Sequence, residues 1–499
     1  MRSGLVKIGM VAAAFSLVAQ SATSDELVIK QAIKASGQLV YNIKQKEVDT
    51  FSDMFKEGNF YGRLRNNNFF FSYDAQDSSH DTHAVTAVGA SIVYKSAEFS
   101  GLDFTLGLYG SHAFFDDNGD PINTIKPGKD TLSRYDYANT GNKSMAVVGQ
   151  ASLDYRVSKT DFILGRQLIE TFYTKSNDTK MIPNAFDGLV VESRDISDTT
   201  AKFAYLYQQK LRDHLEGHSV LMVGDVMSDP SAKEYAPGKS SAVWSENDDA
   251  GMHKGLTYSA LVAAGKPTDS PLIILDVVNN SVDNLKINFS SYIVPELISQ
   301  AMGELNYTLK FDGFSVSPGM RYIQQFDNGA GSVGGASLKG GSAVGYKDPD
   351  SLDAQMIAAR VVTEIDDYKV NLGYTNILDK ADLVTPWRGF PTAGYTRSMG
   401  MYNWRANTQS YRVEVVRNAN KTGIYKDMFI QASILYIDAD DEKKSILDDS
   451  MFYYTGFVKN FEDAPELQLR LRLGYRDFIG NASIVSNYLD SRFEANYLF

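Results

Sequence analysis

Residues 491–499 read SRFEANYLF, the last nine of the chain. Phe493, Ala495, Tyr497 and Phe499 share one parity; Arg492, Glu494 and Asn496 share the other. Successive side chains of a strand point to opposite faces, so the segment predicts a strand with one aromatic-rimmed apolar face and one charged face. That pattern fits the closing strand of an outer-membrane β-barrel, in which lipid-facing and lumen-facing residues alternate. An edge strand of a soluble sheet also alternates, so the decision turns on the rest of the chain.

The other end supports the barrel. Residues 1–22 carry Arg2 and Lys7, then the apolar run 8–19, then small residues. This predicts a secretory signal peptide, cut between Ala19 and Asp25, because the apolar run is shorter than the roughly 20 residues a membrane helix needs. Later apolar stretches such as 272–278 are short and broken by charge. The mean hydropathy is −0.26. A barrel keeps that value low because its hydrophobicity is spread over alternate positions. The chain has no cysteine, which excludes disulfides and thiolate metal sites. A formal charge of −12 argues against a nucleic-acid partner, which selects basic proteins.

Length alone would suggest two or three soluble domains. No linker separates them; the one Gly/Ser-rich stretch, 329–345, lies between two strand-like runs. The organisation read from the sequence is a signal peptide (1–22), a periplasmic lead-in (23–58) and a barrel (59–499). Within the lead-in, Phe51, Met54 and Phe55 have helical spacing, and residues 25–56 are the helical-looking part. From Phe60 onward the period is two. Val88, Ala90, Ile92 and Tyr94 oppose Ser91 and Lys95. Val147, Ala151, Leu153 and Tyr155 oppose Gln150, Ser152, Asp154 and Arg156. About 18 such runs follow one another, an even number in the range of closed antiparallel transmembrane barrels. Short connections alternate with longer ones, the latter near 74–83, 114–144, 168–187, 209–269, 295–301, 327–353, 378–408, 438–449 and 478–490. This is the arrangement of short periplasmic turns and long external loops. Pro318, inside one run, removes a ladder hydrogen bond. The run 219–223 in the longest loop reads as a further strand or an inward-folded piece.

If the apolar face meets lipid, the other lines the lumen. That parity turns Arg63, Arg65, Arg156, Arg321, Arg360, Arg412, Arg470, Arg472, Arg476 and Arg492 inward, with the acids Asp103, Asp154, Glu304, Glu364, Glu414 and Glu494. Closure makes the first and last strands neighbours, so Arg63, Arg65, Arg470, Arg472, Arg476 and Arg492 fall on three adjacent strands. They predict one basic wall, a track for carboxylates or phosphates, which guanidinium binds in bidentate fashion. Two loops are candidates to narrow the pore: 168–187 with Asp178, Lys180 and Asp187, and 378–408 with Trp387, Arg388 and Arg397.

Three stretches carry a family resemblance: GNFYGRLRNNNFFFSYD (58–74), VYKSAEFSGLDFTLGLYGS (93–111) and LGRQLIETFYTKSNDTKMIPNAFDGLVV (164–191). They resemble the OprD-like outer-membrane porins, in particular the epsilonproteobacterial branch. The resemblance implies an 18-stranded barrel with an inner basic ladder and a narrow pore for small, often carboxylate-bearing solutes such as amino acids. The segment TKSNDTKMIPNAFDG is similar to that family's third-loop stretch. Its Ser-Asp-Ser-Arg type run is replaced here by Ser176-Asn177-Asp178-Thr179-Lys180.

Other chemistry is sparse. There is no G-x-S-x-G, H-E-x-x-H or P-loop. The histidines lie mostly in loops, with His80 near His83 and His214 near His218, and a metal site would need further ligands. Residues 116–120, DDNGD, form a partial calcium loop without the distal bidentate Glu, so an external Ca²⁺ site is a weak expectation. The expected protein is a non-enzymatic, cofactor-free porin, an ion-conducting channel integral to the outer membrane of a Gram-negative bacterium. Its partners are outer-membrane lipid, small polar solutes and the barrel-assembly machinery, which reads the last strand. Monomer and homotrimer stay open. The alternatives are a barrel enzyme and a plugged structural or adhesive barrel.

Overall fold

Two-residue alternation becomes a closed wall. The computed structural model describes residues 31–74, 82–115, 128–222, 251–340, 343–418, 426–443, 446, 448–479 and 487–499. Among these, 18 antiparallel strands close one barrel. They are β1 Asn59–Tyr73, β2 Thr82–Lys95, β3 Leu102–Phe114, β4 Ser144–Val157, β5 Thr160–Gln167, β6 Ala185–Ser193, β7 Thr199–Lys210, β8 Leu272–Val282 and β9 Leu285–Val294. The other nine are β10 Ile298–Tyr307, β11 Phe314–Asp327, β12 Ala354–Ile365, β13 Tyr368–Ile377, β14 Thr408–Arg417, β15 Met428–Asp438, β16 Ser450–Asn460, β17 Leu467–Phe478 and β18 Tyr488–Leu498.

Closure joins β18 to β1, from Tyr488 opposite Tyr73 to Leu498 opposite Arg63. Beyond the strand, Phe499 N–H donates to the Gly62 carbonyl at 3.1 Å and the Phe499 carbonyl accepts from Gly62 N–H at 3.0 Å. The last residues therefore remove the only edge a barrel would have. Deleting residues 497–499 is expected to abolish the heat-modifiable band that a closed barrel gives on gel electrophoresis. A normal heat shift in that variant would mean that closure does not need them.

The register also explains where simple alternation departs from the structure. In β3–β4, Gly107 pairs with Gln150 but Leu108 pairs with Val148, so Gly149 is an extra, bulged residue. A bulge changes the phase of a strand. Val147 consequently faces inward, 7% exposed, and not outward with Leu153 and Tyr155. Opposite Pro318 the β10–β11 ladder is interrupted at Thr308, between Asn306–Gly319 and Leu309–Val316, so the missing donor falls at a break. The connection expected at 295–301 is only the turn 295–297 between β9 and β10, with Glu296 at φ 64°. The lead-in is mostly not helical. A hairpin, Gln31–Ile33 paired with Leu39–Tyr41, comes first. The helix is short, Phe51–Lys56, started by the Thr50 hydroxyl accepting from Asp53 N–H. Residues 1–30, His80 and the acidic run 116–120 lie outside the described residues.

Candidate functional site

The lumen is filled unevenly, and that asymmetry shapes the pore. Two loops turn inward, 168–184 between β5 and β6 and 378–407 between β13 and β14. They are zipped together: Thr174 bridges to Arg388, Lys175 N–H donates to the Trp387 carbonyl and Gly389 N–H donates to the Tyr173 carbonyl. Trp387, Tyr173 and Tyr292 meet edge to face with ring centres 4.8 Å apart. The Trp387 indole N–H donates to the Val220 carbonyl at 2.6 Å, so the run 219–222 is an inward-folded piece and not a strand. With Leu383, Val384 and Trp404 these residues pack on the inner faces of β6–β13, including Val190, Ile274 and Met356. Burial of such aromatic and branched side chains stabilises each by roughly 1.5–3 kcal/mol. Arg321 fastens the second loop from the wall, donating to the carbonyls of Pro391 at 2.7 Å and Ala393 at 2.9 Å. The loops thus fill much of the lumen and leave open, on the long-loop side, the flank formed by β14–β18 and β1.

Asp178 sits where the first loop reaches that flank. Its carboxylate accepts from Arg63, and from Arg65 Nη1 at 2.6 Å. Arg65 Nη2 also donates to Glu494 at 2.7 Å, across the β18–β1 seam. Arg63, Arg65 and Asp178 are all inaccessible to solvent to within a few per cent. The guanidinium groups of β1 are therefore spent on holding the loop.

Above this clasp, on the long-loop side, lies a cavity of about 630 Å³. Its basic lining is Lys180, Arg212, Lys339, Arg388, Arg397, Arg405, Arg472, Arg476 and Arg492, against the acids Asp130 and Asp490. Arg472 and Arg492 stand directly opposite each other on β17 and β18. Arg492 is paired with Asp490 at 2.5 Å, and Arg476 donates to the Ser450 hydroxyl at 3.0 Å. Arg397 lies over the rings of Phe390, Tyr402 and Trp404, at 4.3, 5.6 and 5.8 Å. Burial brings its guanidinium down to about 10. Lys180 lies over the Phe69 ring at 4.2 Å. Burial, then the neighbouring Arg492, push its ammonium well below the usual lysine range. Rising pH removes that charge earlier than for an exposed lysine.

On the short-turn side a second cavity, about 680 Å³, has mixed charge. Lys286, Lys310, Arg360 and Lys369 face Glu304, Glu364 and Glu414 there. Arg321 is tied to Glu304 and Arg412 to Glu414. Arg156 pairs with Asp161 at 2.6 Å, and Asp103 is opposite Asp154 across β3 and β4.

The structure separates the residues that the sequence grouped as one wall. Arg472, Arg476 and Arg492 border the basic cavity; Arg63 and Arg65 are shut behind Asp178, and Arg470, opposite Glu494, does not border it. Asp187 is not on the loop but in β6, where it accepts from Arg166 at 2.7 Å. Trp387 is core and does not line the passage. Sequence reading missed Arg212, Lys339 and Arg405, because loop residues carry no parity from which to read their direction. His214 and His218 touch within a buried loop, and the described residues contain no cluster of three metal-ligating side chains.

No family model matches the sequence. No curated protein matches it either. Solved structures do. Pseudomonas aeruginosa OccK9 (OpdG) superposes with a TM-score of 0.65 at 14% identity, covering 89% of this chain and 99% of that one. The barrel has the fold of the Occ channels. Acinetobacter baumannii OccAB3 has a TM-score of 0.65 at 12% identity, over 89% of this chain and 100% of its own. Pseudomonas aeruginosa OpdK, solved with vanillate, has a TM-score of 0.65 at 12% identity, over 89% and 99%. All three superpose along nearly their whole length.

Proposed function

We propose that the protein is an outer-membrane porin through which small hydrophilic solutes diffuse, with a preference for those that carry a carboxylate. The observation that carries this reading is the open flank of the barrel, where nine basic side chains face two acidic ones. Closely spaced guanidinium groups in a confined space raise the local potential, even though the chain as a whole is acidic. Aromatic rings of Phe390, Tyr402 and Trp404 beside Arg397 offer a surface for the carbon skeleton of the solute. Vanillate, bound by OpdK, is a ring bearing a carboxylate. In this reading residues 1–22 are a cleaved signal peptide, the short-turn end faces the periplasm and the exposed apolar wall meets lipid.

Purified barrel in a planar bilayer tests the reading. A salt gradient is expected to give a reversal potential on the anion-selective side, and small organic acids or amino acids are expected to carry or block current. Cation selectivity, with no response to carboxylates, would defeat it.

The second inward loop supplies a further prediction. Shortening residues 385–399 removes the carbonyls that Arg321 and Arg360 hold, and Arg397 with the Phe390 ring beneath it. Conductance is expected to rise and larger solutes to pass. Unchanged conductance in a well-folded variant would mean that this loop does not limit the path.

A further inference from the structure

The hairpin Gln31–Ile33/Leu39–Tyr41 precedes the barrel in sequence but stands inside it. Its tip is Gly37, at φ 81°, and the Gly37 carbonyl accepts from Arg63 Nη1 at 2.7 Å. A Cβ on Gly37 would lie 2.0 Å from the Asp178 carbonyl oxygen. Only glycine fits this backbone conformation and this approach. The tip therefore touches both halves of the clasp that holds the first inward loop. Along the hairpin, Leu39 packs with Tyr61, Val93, Tyr109 and Val147 on the inner faces of β1–β4, and with Met181 and Ile182 of that loop. Tyr41 stacks on Tyr61 with ring centres 5.1 Å apart. Both ends return to the short-turn rim. Gln31 Nε2 donates to the Phe499 carbonyl at 2.8 Å, and the Lys46 carbonyl accepts from Glu98 N–H at 2.8 Å.

We infer that this hairpin is the floor of the constriction, a third element that sets the width of the pore and seats the first inward loop at Asp178. Two three-residue strands do not hold together alone in water, so the hairpin is ordered by the lumen that it occupies. It fills the β1–β4 side of the lumen, whereas the short-turn cavity is lined from β8 to β14. Lys34 and Ala35, near the tip, are exposed, and the space around the tip is the lumen. By filling that side the hairpin confines a solute below the Asp178 clasp to the rest of the cross-section. The inference rests on the channel reading.

The chain has no cysteine, so Ala35→Cys creates a single thiol in the full-length barrel. In planar bilayers, an anionic and a cationic methanethiosulfonate reagent are each expected to lower the current of this variant. They are expected to shift the reversal potential in opposite directions. Deleting residues 31–41 is expected to raise conductance about twofold, because current follows the open cross-section. If the deletion variant does not fold, the thiol variant decides alone. Full labelling, confirmed by mass, that leaves current and reversal potential unchanged overturns the role of the hairpin while the wild type still conducts. A wild-type barrel that does not conduct overturns the channel reading and this inference with it.

Discussion

Asp178→Ala is expected to lower the unfolding stability of the barrel by about 3–5 kcal/mol, since removing one partner of a buried ion pair leaves the other uncompensated. Here two guanidinium groups lose their carboxylate at once, and both are buried. Among the described residues, Arg65 keeps Glu494 as a partner, whereas Arg63 keeps the Gly37 carbonyl alone. The strain has one ready outlet, which is for the first loop to leave the wall and let water reach Arg63. Conductance is therefore expected to rise together with the loss of stability. Asp178→Asn keeps the shape and one of the two acceptor oxygens, loses the charge and turns an NH2 donor toward one guanidinium, and is expected to fall between the wild type and Asp178→Ala. Denaturant unfolding in detergent and single-channel recording measure the two effects. A variant with wild-type stability and wild-type conductance would mean that the clasp does not hold the loop.

The second large effect is on selectivity. Arg470→Ala combined with Arg472→Ala removes two inward charges from β17, next to the seam. Among the described residues Arg472 Nε has no hydrogen-bond partner, and its guanidinium borders the basic cavity. A unit charge roughly 10 Å from a permeating ion contributes about 0.4 kcal/mol in a water-like dielectric, with opposite sign for anions and cations. Losing two such charges moves the anion-to-cation ratio by about 1.6 kcal/mol, on the order of tenfold. The change is expected to shrink in 1 M salt, where the Debye length is about 3 Å. Equal reversal potentials for variant and wild type at low salt would assign these arginines to the wall and not to the passage.

The wall was largely legible in the sequence and the interior was not. Alternation in 491–499 marks Arg492, Glu494 and Asn496 as inward, and the β18–β1 register places Glu494 where it reaches Arg65. Parity works because one face meets an apolar and the other a polar surrounding. It fails at Gly149, where one extra residue reverses it with no change in composition. It cannot say which inward arginine stays open to solvent: Arg63 and Arg472 look alike in sequence, yet Asp178 reaches only the first. Nor does it report that the lead-in hairpin folds back into the lumen, since strands of three residues, Gln31–Ile33 and Leu39–Tyr41, are too short for a period to show.

The bulge at Gly149 has a consequence for how one strand can do two jobs. Toward the long loops, β4 offers Met145 and Val147 as an apolar seat for Met181 and Ile182. Toward the short turns, the same side of the same strand carries the polar and charged Gln150, Ser152, Asp154 and Arg156. The two runs are out of phase in sequence by one residue, and an unbroken strand could satisfy only one of them. Removing that residue would force a choice between a seat turned to lipid and charges turned to lipid. Gly149 is thus a phase shifter: it lets an apolar upper half and a polar lower half share one stave of the barrel.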